Sequence, residues 1–220
     1  MKIGVFDSGI GGEAVAEALR HLIPDAQVIS INDHKHVPYG GRPRAEIMKL
    51  TSAAIQPLID LRCDAIVIAC NTATTNAIQL LRHDHPTVKF VGLEPMVKPA
   101  AALTKTKTIA VLATPATLAS PRYAALKNEF ASDITVLEPD CATWAEQIEN
   151  GQADAIPLEQ SIQPLLNAGV DVIVLGCTHY HWLKDRIQAL TGPDVTILEP
   201  SGAIKNRIVE ITAPNPHVTS

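Results

Sequence analysis

The sequence predicts an α/β protein built from two similar parallel-sheet halves, flavodoxin-like, that face each other across a cleft. Three observations carry this expectation. Short Val/Ile-rich runs without polar alternation recur along the 220 residues, as strands covered on both faces do. Longer segments with helical spacing separate them, and strand–helix alternation is the pattern of parallel sheets. Finally, the chain echoes itself. Asp64-Ala-Ile-Val-Ile-Ala-Cys70-Asn71-Thr72 returns as Asp171-Val-Ile-Val-Leu-Gly-Cys177-Thr178-His179, 107 residues later. Ile3-Gly-Val-Phe and Ile109-Ala-Val-Leu are 106 apart, and Leu93-Glu94-Pro95 and Leu198-Glu199-Pro200 are 105 apart. Buried strands share a small vocabulary, but three ordered matches at nearly one spacing favour duplication over chance.

Taken in order, the expected strands are Lys2–Phe6, Gln27–Asn32, Ala65–Ala69, Lys89–Leu93, Thr108–Leu112, Ile134–Leu137, Val172–Leu175 and Val195–Leu198. Helical spacing is expected over Gly12–His21, Pro43–Leu61, Asn71–Arg82, Arg122–Phe130 and Leu158–Asn167. The first half is expected to comprise residues 1–97 plus 205–220, the chain crossing back near Ala203–Arg207. The second half is expected over 98–204.

Composition narrows the function. A hydrophobic share of 46% excludes wholesale disorder, and the length suffices for a real core. The net charge is −5, with no Lys/Arg cluster able to track a phosphate backbone, so nucleic acid is not an expected partner. No apolar run approaches the ~20 residues of a membrane span. The start, Met1-Lys2-Ile3-Gly4-Val5-Phe6-Asp7, has an acid where a signal peptide needs an apolar stretch. A cytoplasmic protein with reduced thiols is expected. None of Cys63, Cys70, Cys141 and Cys177 forms a CxxC pair, and His34-Lys-His36 has no matching ligand set, so no metal is expected.

Cys70 and Cys177 are the residues to explain. Each ends an apolar strand and begins a hydrogen-bonding stretch, Asn-Thr-Ala-Thr-Thr and Thr-His-Tyr respectively. A single free cysteine is most often a small buried hydrophobe, the reading that suits Cys63. Two at equivalent places of a repeat point to function. Ligands of such sheets sit beyond the carboxyl ends of the strands, so a pseudo-two-fold axis would aim both thiols into one cleft. A thiol at the N-terminal end of a helix feels the positive end of the macrodipole, which can lower its pKa from about 8.5. Each would then be a usable base near neutral pH. Two bases facing each other suit inversion of a carbon centre, where one face loses a proton and the other gains one.

Other motifs are less specific. Gly9, Gly11 and Ala14 satisfy a dinucleotide fingerprint after the first strand, with Asp33 at the distance of a ribose-binding acid. That reading leaves both cysteines unexplained. The alternative is that the turn presents backbone N–H groups, Asp7 and Ser8 to a small anionic ligand with an amino group. Pro38-Tyr39-Gly40 reads as a turn. Thr114 and Thr117 can bind a carboxylate or cap the next helix. His179, two residues past Cys177, can tune that thiol. Glu149 on its own reads as a solvated helix acid.

The stretches Phe6-Asp-Ser-Gly-Ile-Gly-Gly12, Pro38-Tyr-Gly40, Ala69-Cys-Asn-Thr-Ala73 and Gly176-Cys-Thr-His-Tyr180 together resemble the glutamate racemases of the cofactor-independent aspartate/glutamate racemase superfamily. The resemblance runs from residue 1 to about 205. It implies that Cys70 takes the α-proton of D-glutamate and Cys177 that of L-glutamate, assisted by Asp7, His179 and Glu149. It implies a substrate site of Asp7, Ser8, Pro38, Tyr39, Gly40, Asn71, Thr72, Thr114, Thr117, Thr178 and His179. It further implies no cofactor, a homodimer, and D-glutamate destined for peptidoglycan. Racemisation of aspartate or another small amino acid, and a catalytically silent amino-acid-binding protein of the same fold, are the alternatives.

Overall fold

The computed structural model describes residues 1–212; the Pro-rich stretch Pro214–Ser220, and with it the end of the expected 205–220 segment, lies outside the described residues. The first half starts with β1 (Lys2–Asp7), α1 (Gly11–Leu22), β2 (Gln27–Asn32), α2 (Arg44–Asp60), β3 (Ala65–Ile68), α3 (Asn71–Asp84) and β4 (Phe90–Gly92). The second runs through α4 (Val97–Leu103), β5 (Thr108–Leu112), α5 (Pro115–Leu118), α6 (Pro121–Phe130), β6 (Thr135–Leu137), α7 (Trp144–Glu149), α8 (Leu158–Asn167), β7 (Val172–Leu175), α9 (Lys184–Thr191) and β8 (Thr196–Leu198). Short 3-10 turns at Ala153–Ala155 and Thr178–Leu183 interrupt it, and α10 (Ser201–Thr212) closes the described chain.

Two four-stranded parallel sheets result, ordered β2-β1-β3-β4 and β6-β5-β7-β8. The order is the same in both, so β1 corresponds to β5 and β3 to β7. The registers match too: Phe6 pairs Ile68 at the end of one central ladder, and Leu112 pairs Leu175 at the end of the other. All residues of β3 and β7 are buried, which is why both read as unbroken apolar runs.

Each sheet is covered on both faces. On the first, Phe6, Ile66 and Ile68 pack with Ile47, Ile55 and Leu58 of α2 and Leu81 of α3. On its other face Ile3, Val5 and Val67 meet Val15 and Leu19 of α1 with Ile204 and Ile208 of α10. On the second sheet Ile173 and Leu175 pack with Ile148, Ile162 and Ile187. Its other face joins Ile109, Val111 and Val174 to Val97, Ala100 and Tyr123. A fully buried Ile or Leu contributes about 1.5–3 kcal/mol over exposure. The two central strands of each half therefore anchor it, and whatever follows them is held firmly.

The chain changes halves twice, each time just after Leu-Glu-Pro. After Leu93-Glu94-Pro95, Val97 already packs on the second sheet. After Leu198-Glu199-Pro200, Ile204 packs back on the first. Among the described residues no helix is long and apolar enough to cross a membrane.

Candidate active site

Both cysteines stand two residues beyond a buried central strand. Cys70 follows β3 and caps α3, its sulfur accepting from the Ala73 N–H at 3.4 Å. Cys177 follows β7 and precedes a 3-10 turn where a regular helix was expected. The two thiols, one from each half, line a single small cavity with Ser8, Tyr39, Gly40, Asn71, Thr72 and Thr178. Pro38, Thr114, Ala145 and His179 complete its wall. The cavity is tight, about 10 Å³, far below the roughly 300–1,000 Å³ of sites for drug-sized ligands. The two halves are drawn close over it. A larger, mostly apolar groove opens beside it between Ala14, Val15 and Ala18 of α1 and Pro200, reaching Cys177.

The Cys70 side is neutral and hydroxyl-rich. The Ser8 hydroxyl lies 3.3 Å from the Cys70 sulfur. Burial pushes the Cys70 thiol up to about 12, the Asp7 carboxylate adds to that, and the contacts from Ser8 and the Ala73 N–H oppose it. This corrects the expectation of a lowered thiol at a helix start: desolvation outweighs the macrodipole. Thr72 Oγ1 lies 2.8 Å from Thr114 Oγ1 and 3.2 Å from Thr117 Oγ1, bridging the halves. Thr114 does not use its hydroxyl to cap α5. Thr117 supports the cluster from behind, outside the cavity wall.

The Cys177 side carries charge. His179 Nδ1 lies 3.7 Å from the Cys177 sulfur, and its Nε2 is paired with Glu149 Oε1. Burial draws the His179 pKa down, but the contacts with Cys177 and Glu149 outweigh it and raise it to about 11. Burial likewise pushes Glu149 up, and the bonds from His179 and the Ile10 N–H (2.8 Å) turn the balance, holding it below its usual value. Glu149 is thus no solvated acid; its side chain is 12% exposed.

Asp7 links the two sides. It is fully buried behind the cavity, accepting from the Thr178 hydroxyl at 2.9 Å and from the Gly9 N–H at 2.9 Å. Burial raises its pKa, against the pull of His179. The Gly-rich turn has a packing reason. A Cβ at Gly9 would overlap the Glu149 carboxylate, and one at Gly11 would overlap Thr178. These glycines let the second half approach, and the space a pyrophosphate would need is filled by it. Asp33 is likewise occupied, accepting from the Tyr39 hydroxyl at 2.7 Å and from His36 at 2.9 Å. The dinucleotide reading, disfavoured by the cysteines, is left without space. Ala145, which lines the cavity, went unnoticed because nothing in its sequence setting marks it.

The geometry defines an α/β protein with paired thiols opposed across a buried polar cavity. The sequence profile described as Asp/Glu/Hydantoin racemase matches residues 12–204, and the chain belongs to that family. It is 40% identical over 215 residues to the glutamate racemase of Herpetosiphon aurantiacus, covering 96% of this chain and 84% of that protein. Among solved structures it resembles glutamate racemase from Escherichia coli in complex with L-glutamate and the activator UDP-MurNAc-ala. There the TM-score is 0.84 at 29% identity, over 100% of this chain and 85% of that one. It also resembles glutamate racemase from Francisella tularensis in complex with D-glutamate, with TM-score 0.81 at 28% identity over 96% and 80%.

Proposed function

We propose that this chain is a glutamate racemase that interconverts L- and D-glutamate with two cysteine bases and no cofactor. The observation that carries the reading is that Cys70 and Cys177 line one cavity from opposite halves. Relatives at 40% identity are named glutamate racemases, and two of the similar structures hold L- or D-glutamate.

In the proposed reaction a cysteine thiolate on one face takes the α-proton. An S–H bond forms and the Cα–H electron pair remains on carbon. The thiol on the other face then gives its proton to that carbon, and the enantiomer leaves with the two cysteines in exchanged states. Cys177 serves L-glutamate and Cys70 serves D-glutamate. His179, held by Glu149, stands beside the Cys177 sulfur and assists its proton transfer, and Asp7, buried behind the cavity, assists by holding the Thr178 hydroxyl. Ser8, Asn71, Thr72, Thr114 and Thr178 supply hydroxyl and amide groups to the substrate, with backbone from Pro38, Tyr39 and Gly40, and Thr117 holds Thr72 and Thr114 from behind. The N-terminal end of α3, at Cys70, adds its positive end.

On this reading the two halves close on the substrate and exclude water from the carbanion. The enzyme works in the cytoplasm as a homodimer, and its D-glutamate enters peptidoglycan. The test is incubation with L-glutamate in D₂O without added cofactor, with L-aspartate in parallel. The expected outcome is loss of the glutamate α-proton signal as optical rotation decays to zero. No exchange with glutamate, or faster exchange with aspartate, would overturn the substrate assignment.

A further inference from the structure

The loop between β2 and α2 brings Pro38, Tyr39 and Gly40 to the cavity, and Arg42 folds back beneath it. Arg42 Nε donates to the carbonyl oxygens of His36 (3.0 Å) and Pro38 (3.2 Å), and Nη2 donates to His36 again at 2.7 Å. Its Nη1 donates to Glu46 on α2, and its backbone N–H donates to the Tyr39 carbonyl at 3.0 Å. One guanidinium thus ties two loop carbonyls to the first turn of a helix that is anchored in the core through Ile47.

The loop's other ties complete the picture. The Tyr39 ring is buried against Phe6 and its hydroxyl is committed to Asp33. The Gly40 carbonyl accepts from the Ala116 N–H of the second half at 2.9 Å. What the loop offers a ligand is therefore backbone, beside Cys70 and Thr114. No Lys or Arg is among the residues lining this cavity. An anionic substrate is then held by N–H and hydroxyl donors whose placement decides binding. The cation at this wall, His179, stands on the Cys177 side, so on the loop side no charge makes up for a displaced donor.

We propose that Arg42 is a positioning residue of the reaction. It fixes the backbone of residues 36–40 so that the loop meets a substrate carboxylate. The proposal rests on the racemase reading above. Its planar fork suits the task, because a lysine ammonium cannot span both carbonyls and Glu46 in one fixed geometry.

The test uses the full chain with Arg42→Ala and Arg42→Lys, assayed with both enantiomers. Amide hydrogen exchange is followed over residues 33–42 and over β1 and β3. Charge-assisted contacts of this kind translate to about tenfold or more in binding. We expect Arg42→Ala to raise KM for both enantiomers by about that factor, with kcat within about threefold. Exchange should quicken over residues 36–41 and stay at the wild-type level in β1 and β3. Arg42→Lys should recover part of the lost KM. A KM within about twofold of wild type overturns the proposal. So does a loss accompanied by faster exchange throughout the core, since that would be general loosening. If the wild-type chain does not turn over glutamate, the racemase reading falls separately. The exchange data then decide the clamp: selective loosening of 36–41 in Arg42→Ala upholds it, and unchanged exchange there overturns it.

Discussion

Cys70 and Cys177 stand at matching places in two matching sheets and keep unlike company. Around Cys70 are a serine hydroxyl and a backbone N–H, with the Asp7 carboxylate near enough to push the thiol up further. Beside Cys177 is an imidazole whose pKa is raised by its contacts with Cys177 and with the part-buried Glu149 carboxylate. Duplication of the backbone explains where the sulfurs are. The residues that differ between the copies give the sulfurs their company: Ser8 reaches one and His179 the other. On the proposed reading Cys177 is the base for L-glutamate and Cys70 the base for D-glutamate, so these surroundings act on opposite directions of the reaction.

The largest effect should come from removing either sulfur. Cys70→Ala and Cys177→Ala should each lose racemisation by at least about 10³-fold, within the range for a lost general acid or base. The comparison is broken if either variant turns over normally. It is sharpened by following the α-proton alone. Cys177→Ala, with Cys70 left, should exchange only D-glutamate, and Cys70→Ala only L-glutamate.

A smaller effect is expected at His179. Enantiomers have equal free energies, so kcat/KM must fall equally in both directions in any variant. We expect His179→Asn to lower it by about 10²-fold. Loss of the cation beside Cys177 should also raise KM for L-glutamate relative to D-glutamate, with kcat changing in the same ratio. Stability should respond to pH in a definite sense. Contacts with Cys177 and Glu149 outweigh burial and raise the folded-state pKa from 6.5 to about 11. Protonated His179 therefore adds stability that is complete below 6.5 and is lost as pH rises toward 11. The melting-temperature gap between wild type and His179→Asn should narrow over that interval, and a gap that widens would contradict the pairing.

Much of this was legible in the chain. The central strands stood out because burial on both faces leaves uninterrupted Val/Ile runs, as in Ile66–Ile68 and Val172–Leu175; the edge strands β2, β6 and β8, only partly buried, were marked by their place in the alternation. The cysteine pair stood out because the repeat sets both at the same offset from their strands. Short helices such as α5 and α7, of 4 and 6 residues, were not singled out, since so few residues cannot display a helical period. Glu149 was named only through the resemblance; its own setting read as a solvated acid, for another reason. Its partners are Ile10 and His179, 139 and 30 residues away; folding of the second half makes one contact and the meeting of the two halves the other. Asp33 lay at the distance of a ribose-binding acid, a reading the cysteines already disfavoured, and the fold turns it to Tyr39. The direction of the Cys70 shift was missed because the macrodipole can be inferred from a helix start and the depth of burial cannot.

The smallest predicted effect probes the Cys70 side. The Ser8 hydroxyl opposes the upward push of burial on that thiol. In Ser8→Ala the contact is gone while Asp7 and the surrounding packing remain, so Cys70 should give up its proton less readily. A neutral hydrogen bond is worth about 0.5–1.5 kcal/mol, or roughly threefold to tenfold. D-glutamate needs Cys70 as thiolate, so its KM should rise relative to that of L-glutamate by about threefold, with kcat following in the same ratio. This shift is opposite in sense to the one expected of His179→Asn. Measuring both variants with both enantiomers therefore tests the asymmetry itself. Shifts in the same sense would mean that Ser8 and His179 act on a common step, and that the two sides of the cavity do not divide the work as their surroundings indicate.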